Sequence, residues 1–212
     1  YTLPATASLF NALYLSGGPS TIGSFRSIQI IRNNKVFKTS DIYNYLVNGN
    51  QSENIILQDE DIIFIPTAEL QVKVTGEFKR NALFELQKGE TLAKLIEYAG
   101  AYTDETYLYR MKLYRKTQQG LQIIDFLQTD INSVQPENGD MLVAEKILDQ
   151  FTNRVSISGA VFRPGEYEWT PGMMLSTLIT KADSITPDIY TKQGHIIRLK
   201  PDLSNQLISF DV

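Results

Sequence analysis

The feature that most constrains the fold is an internal repeat with a period of 83 residues. Two sets of identical residues carry this spacing: Arg32, Arg115 and Arg198, and Leu9, Leu92 and Leu175. A period this long is typical of a string of small domains rather than of a thin solenoid. We therefore predict three modules, at residues 1–68, 69–150 and 151–212. We expect the first to lack its first strand and the third to lack its last strand.

Composition limits the class of protein and of partner. The 212 residues are 42% hydrophobic and 21% charged, which is typical of a soluble globular chain. The net charge of -4 argues against nucleic acid as a partner, since phosphates require a basic surface. The chain has no cysteine, which excludes disulfides, thiol nucleophiles and thiolate metal sites. We read the sequence as part of a longer protein, so membrane association is expected only through parts of that protein outside it.

The middle repeat predicts the order of elements in one module. Apolar and polar residues alternate over 72–78, and 83–86 returns as the second strand of a hairpin. Thr91 is expected to cap a short helix with its hydroxyl, and Gly100 to end that helix. Three short strands follow, of which the last begins after Asp140. The predicted class is α+β: tandem β-grasp (ubiquitin-like roll) modules, each a small mixed sheet with one helix, whose opening and closing strands lie parallel at the centre.

These motifs resemble the soluble-ligand-binding β-grasp (SLBB) domain. The resemblance rests on a strand V-x-V-x-G, a turn R-P-G, an aromatic residue, a T-L helix that ends in A-G, and a final G-D strand. The middle copy supplies Val72, Val74, Gly76, Thr91, Leu92, Ala99, Gly100, Gly139 and Asp140, and the third supplies Val155, Ile157, Gly159, Arg163, Pro164, Gly165, Tyr167 and Leu175. A tandem arrangement of such domains resembles that of Wza-type outer-membrane polysaccharide export proteins. The resemblance implies a periplasmic, ring-forming conduit for polysaccharide in a Gram-negative bacterium.

The sequence predicts no catalytic site, no metal site and no cofactor. The single histidine, His195, is expected to be a partly exposed strand residue. The acidic run Asp59-Glu60-Asp61 has two interpretations: a turn before a strand, which we favour, or a cation or glycosidase site. Trp169, at the position of Leu86 in the repeat, is expected in the core.

The candidate ligand-binding residues are arginines and tyrosines: Arg32, Tyr109, Tyr114, Arg115 and Arg198. Recurring arginines can hold acidic sugars, or they can serve each module by pairing with a carbonyl or carboxylate. Tyrosines beside arginines can stack on sugar rings, or they can fill a seam between modules. Both interpretations stay open for each set.

The predicted function is non-enzymatic: a module of a capsular or exopolysaccharide export apparatus that serves as oligomerisation scaffold and glycan passage. Its expected partners are polysaccharide, further copies of itself and other export-machinery proteins. The alternative is a receptor-type module that binds a small soluble sugar or cofactor between repeats.

Overall fold

The computed structural model describes residues 6–190 and 192–211. The chain divides into two compact units, unit 1 (Tyr1–Ile147) and unit 2 (Leu148–Val212). The predicted boundary at residue 68 falls inside unit 1, and the predicted boundary at residue 150 falls close to the division between the units. The division into three modules stays a prediction, since the two units do not decide it.

The second half of unit 1 forms one five-stranded sheet that carries a helix. Its elements, in chain order, are β4 (Gln71–Gly76), β5 (Leu83–Glu85), α3 (Leu92–Tyr98), β6 (Arg110–Thr117), β7 (Gly120–Leu127), a 3-10 turn (Gln128–Asp130) and β8 (Met141–Ala144). The spatial order is β5-β4-β8-β6-β7. The opening strand β4 pairs parallel with the closing strand β8, and β8 pairs antiparallel with β6. The order of elements and the central parallel pair are as predicted, and the α+β class with β-grasp-like modules is confirmed.

The first half of unit 1 has a smaller sheet and two helices. Its elements are α1 (Leu9–Ser16), β1 (Ile28–Arg32), β2 (Lys35–Ser40), α2 (Tyr43–Asn48) and β3 (Ile62–Phe64). The sheet has the order β2-β1-β3, with both pairs antiparallel. The short helix α2 is an addition to the predicted single helix of the module.

Unit 2 contains two separate hairpins and one helix among its described residues. Its elements are β9 (Arg154–Ile157), β10 (Gly165–Glu168), α4 (Leu175–Lys181), β11 (Gly194–Leu199) and β12 (Asn205–Phe210). Within residues 6–190 and 192–211, β9 pairs only with β10, and β11 pairs only with β12.

The helices α1, α3 and α4 begin at positions that lie 83 residues apart. Leu9, Leu92 and Leu175 are each the first residue of a helix. After these helices, Gly17, Gly100 and Asp183 all have a left-handed backbone, with φ of 85°, 76° and 58°. Asp183 therefore takes the conformation that glycine takes in the other two positions, because aspartate tolerates this region better than most side chains do.

The cores differ sharply between the units. In unit 1 the buried apolar residues form two clusters, one around α3 and β4, β6 and β8, the other around α1 and β1. Among the described residues of unit 2, only Leu178 and Ala182 are buried apolar side chains. The prediction that Trp169 packs in the core is wrong: Trp169 is 47% exposed, whereas Leu86 is 3% exposed in unit 1, because the described residues of unit 2 bury so few apolar side chains. Thr91 is the helix N-cap residue, but its hydroxyl donates to Asn132 instead of accepting a helix N–H.

Candidate functional site

Two of the three repeated arginines form the same bidentate ion pair. Arg32 Nε and Nη2 donate to Asp61 at 2.8 and 2.7 Å, and Arg115 Nε and Nη2 donate to Asp140 at 3.0 and 2.7 Å. Each aspartate directly precedes the closing strand, β3 or β8, and its side chain is almost fully buried, at 2% and 1% exposed. The fork of a guanidinium matches a carboxylate in this geometry, so each pair fixes the closing strand against the arginine's strand.

The two aspartates also close the same kind of turn. Asp61 accepts from the N–H of Gln58, and Asp140 accepts from the N–H of Glu137, both at 2.8 Å and both three residues back. The hydrogen bonds from Arg32 lower the pKa of Asp61 and outweigh the opposing effect of burial. The run 59–61 is thus a turn whose last carboxylate, that of Asp61, is ion-paired within the fold, while the side chains of Asp59 and Glu60 are exposed.

Arg198 has a different environment. It lies on β11, it is exposed, and no described acidic side chain pairs with it. Binding of glycan by the three arginines stays a prediction. The structure places two of them in contacts within the fold, and only the third presents a free guanidinium among the described residues.

A buried ionic network that the repeat does not predict joins the two halves of unit 1. The side chain of Arg26 is 7% exposed and contacts Asp41 at 2.9 Å and Glu90. Its guanidinium lies over the rings of Tyr43 and Tyr98, with 4.8 and 5.4 Å to the ring centroids. Burial disfavours its charge, but the hydrogen bonds to Asp41 and Glu90 prevail and raise the pKa of Arg26. A cation so fully paired is a structural group that couples residues 26–43 to residues 90–98.

A second set of hydrogen bonds extends this network. Glu85 is buried and accepts from the Ser24 hydroxyl at 2.6 Å and from the Phe25 N–H at 2.7 Å. The backbone N–H of Glu85 donates to the Tyr43 hydroxyl at 2.6 Å. Burial raises the pKa of Tyr43 to about 12, so the hydroxyl stays protonated at neutral pH.

Sequence reasoning missed this network because it sought residues that repeat. At an offset of 83, the position of Arg26 holds Tyr109 in the middle copy and Lys192 in the third, and the position of Glu90 holds Ala7 in the first copy and Met173 in the third. The informative signal was therefore the departure from the repeat. Glu90 has an uncharged residue at the equivalent position of both other copies, and its carboxylate contacts Arg26 in the first half of unit 1.

An apolar groove lies beside the network, between α2 and β5. It has a volume of about 290 Å³, and its lining includes Phe25, Tyr43, Phe84 and Arg80. Arg80 is exposed and has no acidic partner among the described residues. The groove therefore combines aromatic faces with one free cation, which suits a planar or ring-shaped ligand with a negative charge.

The predicted tyrosines do not form one site. Tyr109 is 64% exposed in the turn before β6, and its ring centroid lies 6.2 Å from that of Tyr107. Tyr114 lies five residues along the chain on β6, where it is partly buried and paired with Ile123 of β7. His195 is an exposed residue of β11 whose Nδ1 is 3.2 Å from the Ser209 hydroxyl.

The described residues contain no cluster of histidine, cysteine, aspartate or glutamate suited to a metal ion. No helix within residues 6–190 and 192–211 is both long and apolar enough to span a membrane.

Comparison with known proteins identifies one domain. A search of curated proteins gives no match. Residues 71–125, which run from β4 into β7 and include α3, match the SLBB domain. The chain therefore contains one SLBB domain, at residues 71–125.

Proposed function

We propose that this chain is a non-enzymatic module of a capsular or exopolysaccharide export apparatus, held in the periplasm at the outer membrane of a Gram-negative bacterium. The observation that carries this proposal is the SLBB domain at residues 71–125, a domain found in polysaccharide export proteins. In this proposal the chain consists of three SLBB-type modules that do not catalyse a reaction. They position subunits around a passage for a polar polymer.

The contacts within unit 1 support a scaffolding role. The Arg26 network and the Glu85 hydrogen bonds give a partner to each buried charged group at this junction. A junction with fully satisfied buried polar groups has one strongly preferred arrangement, whereas a flexible linker has many. A rigid junction transmits the geometry of one subunit to the next, which a ring of subunits requires.

The exposed aromatic residues provide the proposed glycan contact. Tyr107 and Tyr109 are 40% and 64% exposed, and their rings are close enough to contact neighbouring sugars of one chain. Each such contact is weak, so binding is expected to need many subunits on one polymer. Arg32 and Arg115 are excluded from the test below, since their pairs with Asp61 and Asp140 would confound binding with folding.

The test is native electrophoresis through a gel that contains an acidic exopolysaccharide, with light scattering to measure self-association. We expect retardation in the polysaccharide gel and concentration-dependent assembly, and Tyr109→Ala should lose most of the retardation. Tyr14→Ala is the matched control, because Tyr14 is 86% exposed and lies on α1. A strict monomer that runs equally with and without polysaccharide would refute the proposal, as would equal effects of the two variants.

The groove between α2 and β5 favours the receptor as a second candidate function. It lies between the first two predicted modules, where a small sugar or cofactor would bind. Thermal shift with a panel of anionic sugars and sugar phosphates tests this candidate. A shift produced by one compound and lost in Arg80→Gln would support a receptor, and Lys79→Gln, an exposed neighbour, is the control.

A further inference from the structure

The outer strand β7 of the five-stranded sheet has an open edge. It pairs with β6 on one side, and no strand among the described residues pairs with its other side. The pairing of β6 with β7 runs from Thr117 and Gly120 to Arg110 and Leu127 in one unbroken register, so the edge is long and regular. An edge of this kind keeps backbone N–H and C=O groups free to pair with one further strand.

The equivalent edge in the first half of unit 1 is protected against such pairing, whereas β7 is not. Strand β2 pairs with the strand that carries Arg32, as β7 pairs with the strand that carries Arg115. β2 contains Lys35 and Lys38, and its register against β1 shifts after Ile30. Lysines, prolines and irregular register are means by which proteins prevent edges from pairing. The sequence of β7, GLQIIDFL, contains no lysine, arginine or proline.

Two large apolar side chains of β7 lie on the sheet face that α3 does not cover. Successive residues of a strand point to opposite faces. Phe126 is 7% exposed and belongs to the core cluster that includes Leu95 of α3. Leu121 and Ile123, on the opposite face, are 74% and 59% exposed. The open edge is therefore apolar as well as unpaired, which favours a protein strand as its partner.

The sequence of β7 is complementary to itself about Gln122. In an antiparallel pair of two copies with a two-fold axis at this residue, Leu121 of each copy lies opposite Ile123 of the other. Opposed side chains lie on the same face of a sheet, so each exposed leucine covers an exposed isoleucine. Asp125 then lies opposite the neutral Gln119, and no like charges meet. An axis at Ile123 would instead set Leu121 against the carboxylate of Asp125.

We propose that β7 binds β7 of a second copy of this chain, antiparallel and with the two-fold axis at Gln122, so that two five-stranded sheets become one continuous sheet. Main-chain hydrogen bonds supply affinity, and the contacts between Leu121 and Ile123 fix the register. A two-fold contact closes at two copies, so a larger ring would use a further surface as well. This inference goes beyond the proposed function, since it assigns a surface for self-association whether or not the chain binds a glycan.

Analytical ultracentrifugation of the whole chain over a range of concentrations measures the dimer. We expect a dissociation constant of about 10–100 μM, because one pair of strands gives a small interface. Leu121→Lys and Ile123→Glu should each weaken the dimer about ten-fold or more, since each variant places two charges in the contact. Val36→Lys is the matched control: Val36 is 56% exposed on the protected edge strand β2, and this variant should dimerise as the wild type does.

Mixing the two charged variants tests the register. In a heterodimer of Leu121→Lys with Ile123→Glu, the introduced lysine lies opposite the introduced glutamate, and the second contact keeps the original leucine and isoleucine. An equimolar mixture should therefore recover the dimer that neither variant forms alone. This recovery also shows that both variants are folded.

Cross-linking tests the position of the axis. The chain has no cysteine, so one introduced thiol reports its own neighbours. Gln122→Cys sets two thiols opposite each other, with Cα atoms about 4.5–5.5 Å apart, and should form a covalent dimer under mild oxidation. Asp125→Cys is the control on the same strand. Because Asp125 of one copy lies opposite Gln119 of the other, its two thiols are about 20 Å apart and should stay reduced.

Four results would overturn the proposal. The first is a wild-type chain that remains monomeric at about 500 μM, well above the expected dissociation constant. The second is self-association that both charged variants leave intact, which would place the contact on another surface. The third is a mixture of these variants that stays monomeric, and the fourth is equal cross-linking of the two cysteine variants. The second, third and fourth results leave the proposed export role standing, and a chain that dimerises through β7 without binding polysaccharide would refute only that role.

Discussion

The Arg26 network makes a quantitative prediction about how the two halves of unit 1 hold together. Arg26→Met keeps the length of the side chain but leaves Asp41 and Glu90 without their cation. Removing one partner of a buried pair costs roughly 3–5 kcal/mol. The carboxylates of Asp41 and Glu90 are 24% and 19% exposed, so water can reach them in part. We therefore expect the lower end of the range, about 3 kcal/mol.

Thermal unfolding measures this loss separately in each unit. For a unit of this size a loss of about 3 kcal/mol lowers the melting temperature by roughly 6–12 °C. Near-ultraviolet circular dichroism of the tyrosines follows unit 1, where Tyr43 and Tyr98 lie in the network. Fluorescence of Trp169 follows unit 2 and should keep its transition temperature.

The control is an ion pair of the same unit on its surface. Lys146 and Glu105 are 2.9 Å apart with side chains 58% and 62% exposed, so Lys146→Met should change the free energy of unfolding by about 1 kcal/mol or less. If Arg26→Met has an effect as small as this control, the network does not couple the halves of unit 1. If its effect appears equally in the Trp169 signal, the reasoning about separate units fails.

Three further predictions concern single residues. The pKa of Asp61 is lowered in the folded chain, so the unfolded chain takes up the proton first as the pH falls. The free energy of unfolding should therefore decrease below about pH 4, and urea titrations should show a smaller decrease in Asp61→Asn. The pKa of Tyr43 is raised to about 12, so the unfolded chain loses the proton first; stability should fall as pH rises from about 10, and less so in Tyr43→Phe. Gly159→Ala should lower the free energy of unfolding, measured with urea, by about 1–2 kcal/mol because of its positive φ. Gly76→Ala should lower it by about 1–3 kcal/mol more, because its Cβ would also collide with the backbone of Ala144. Equal losses for the two glycines would contradict the role given to that contact.

The sequence was most informative where one residue performs the same task in each copy. The helix that begins at Leu92 follows from periodicity and turn residues, which depend on local chemistry. The central parallel pair joins distant parts of the chain and was predicted from the β-grasp class instead. The prediction for Trp169 is wrong because a repeat predicts which positions are equivalent, but not how far neighbouring side chains bury each of them. Sequence reasoning missed the Arg26 network because Arg26, Asp41 and Glu90 lie far apart in the chain and no motif joins them.

The central position of β8 has a consequence for synthesis. Strand β8 is the last element of its sheet to leave the ribosome, yet it lies between β4 and β6 and supplies Asp140 to Arg115. Until residue 144 has emerged, β4 and β6 keep open edges, and the sheet forms only through a contact between distant parts of the chain. A fragment that stops at residue 125, where the SLBB match ends, would therefore carry the sequence features of the domain without the strand that closes it.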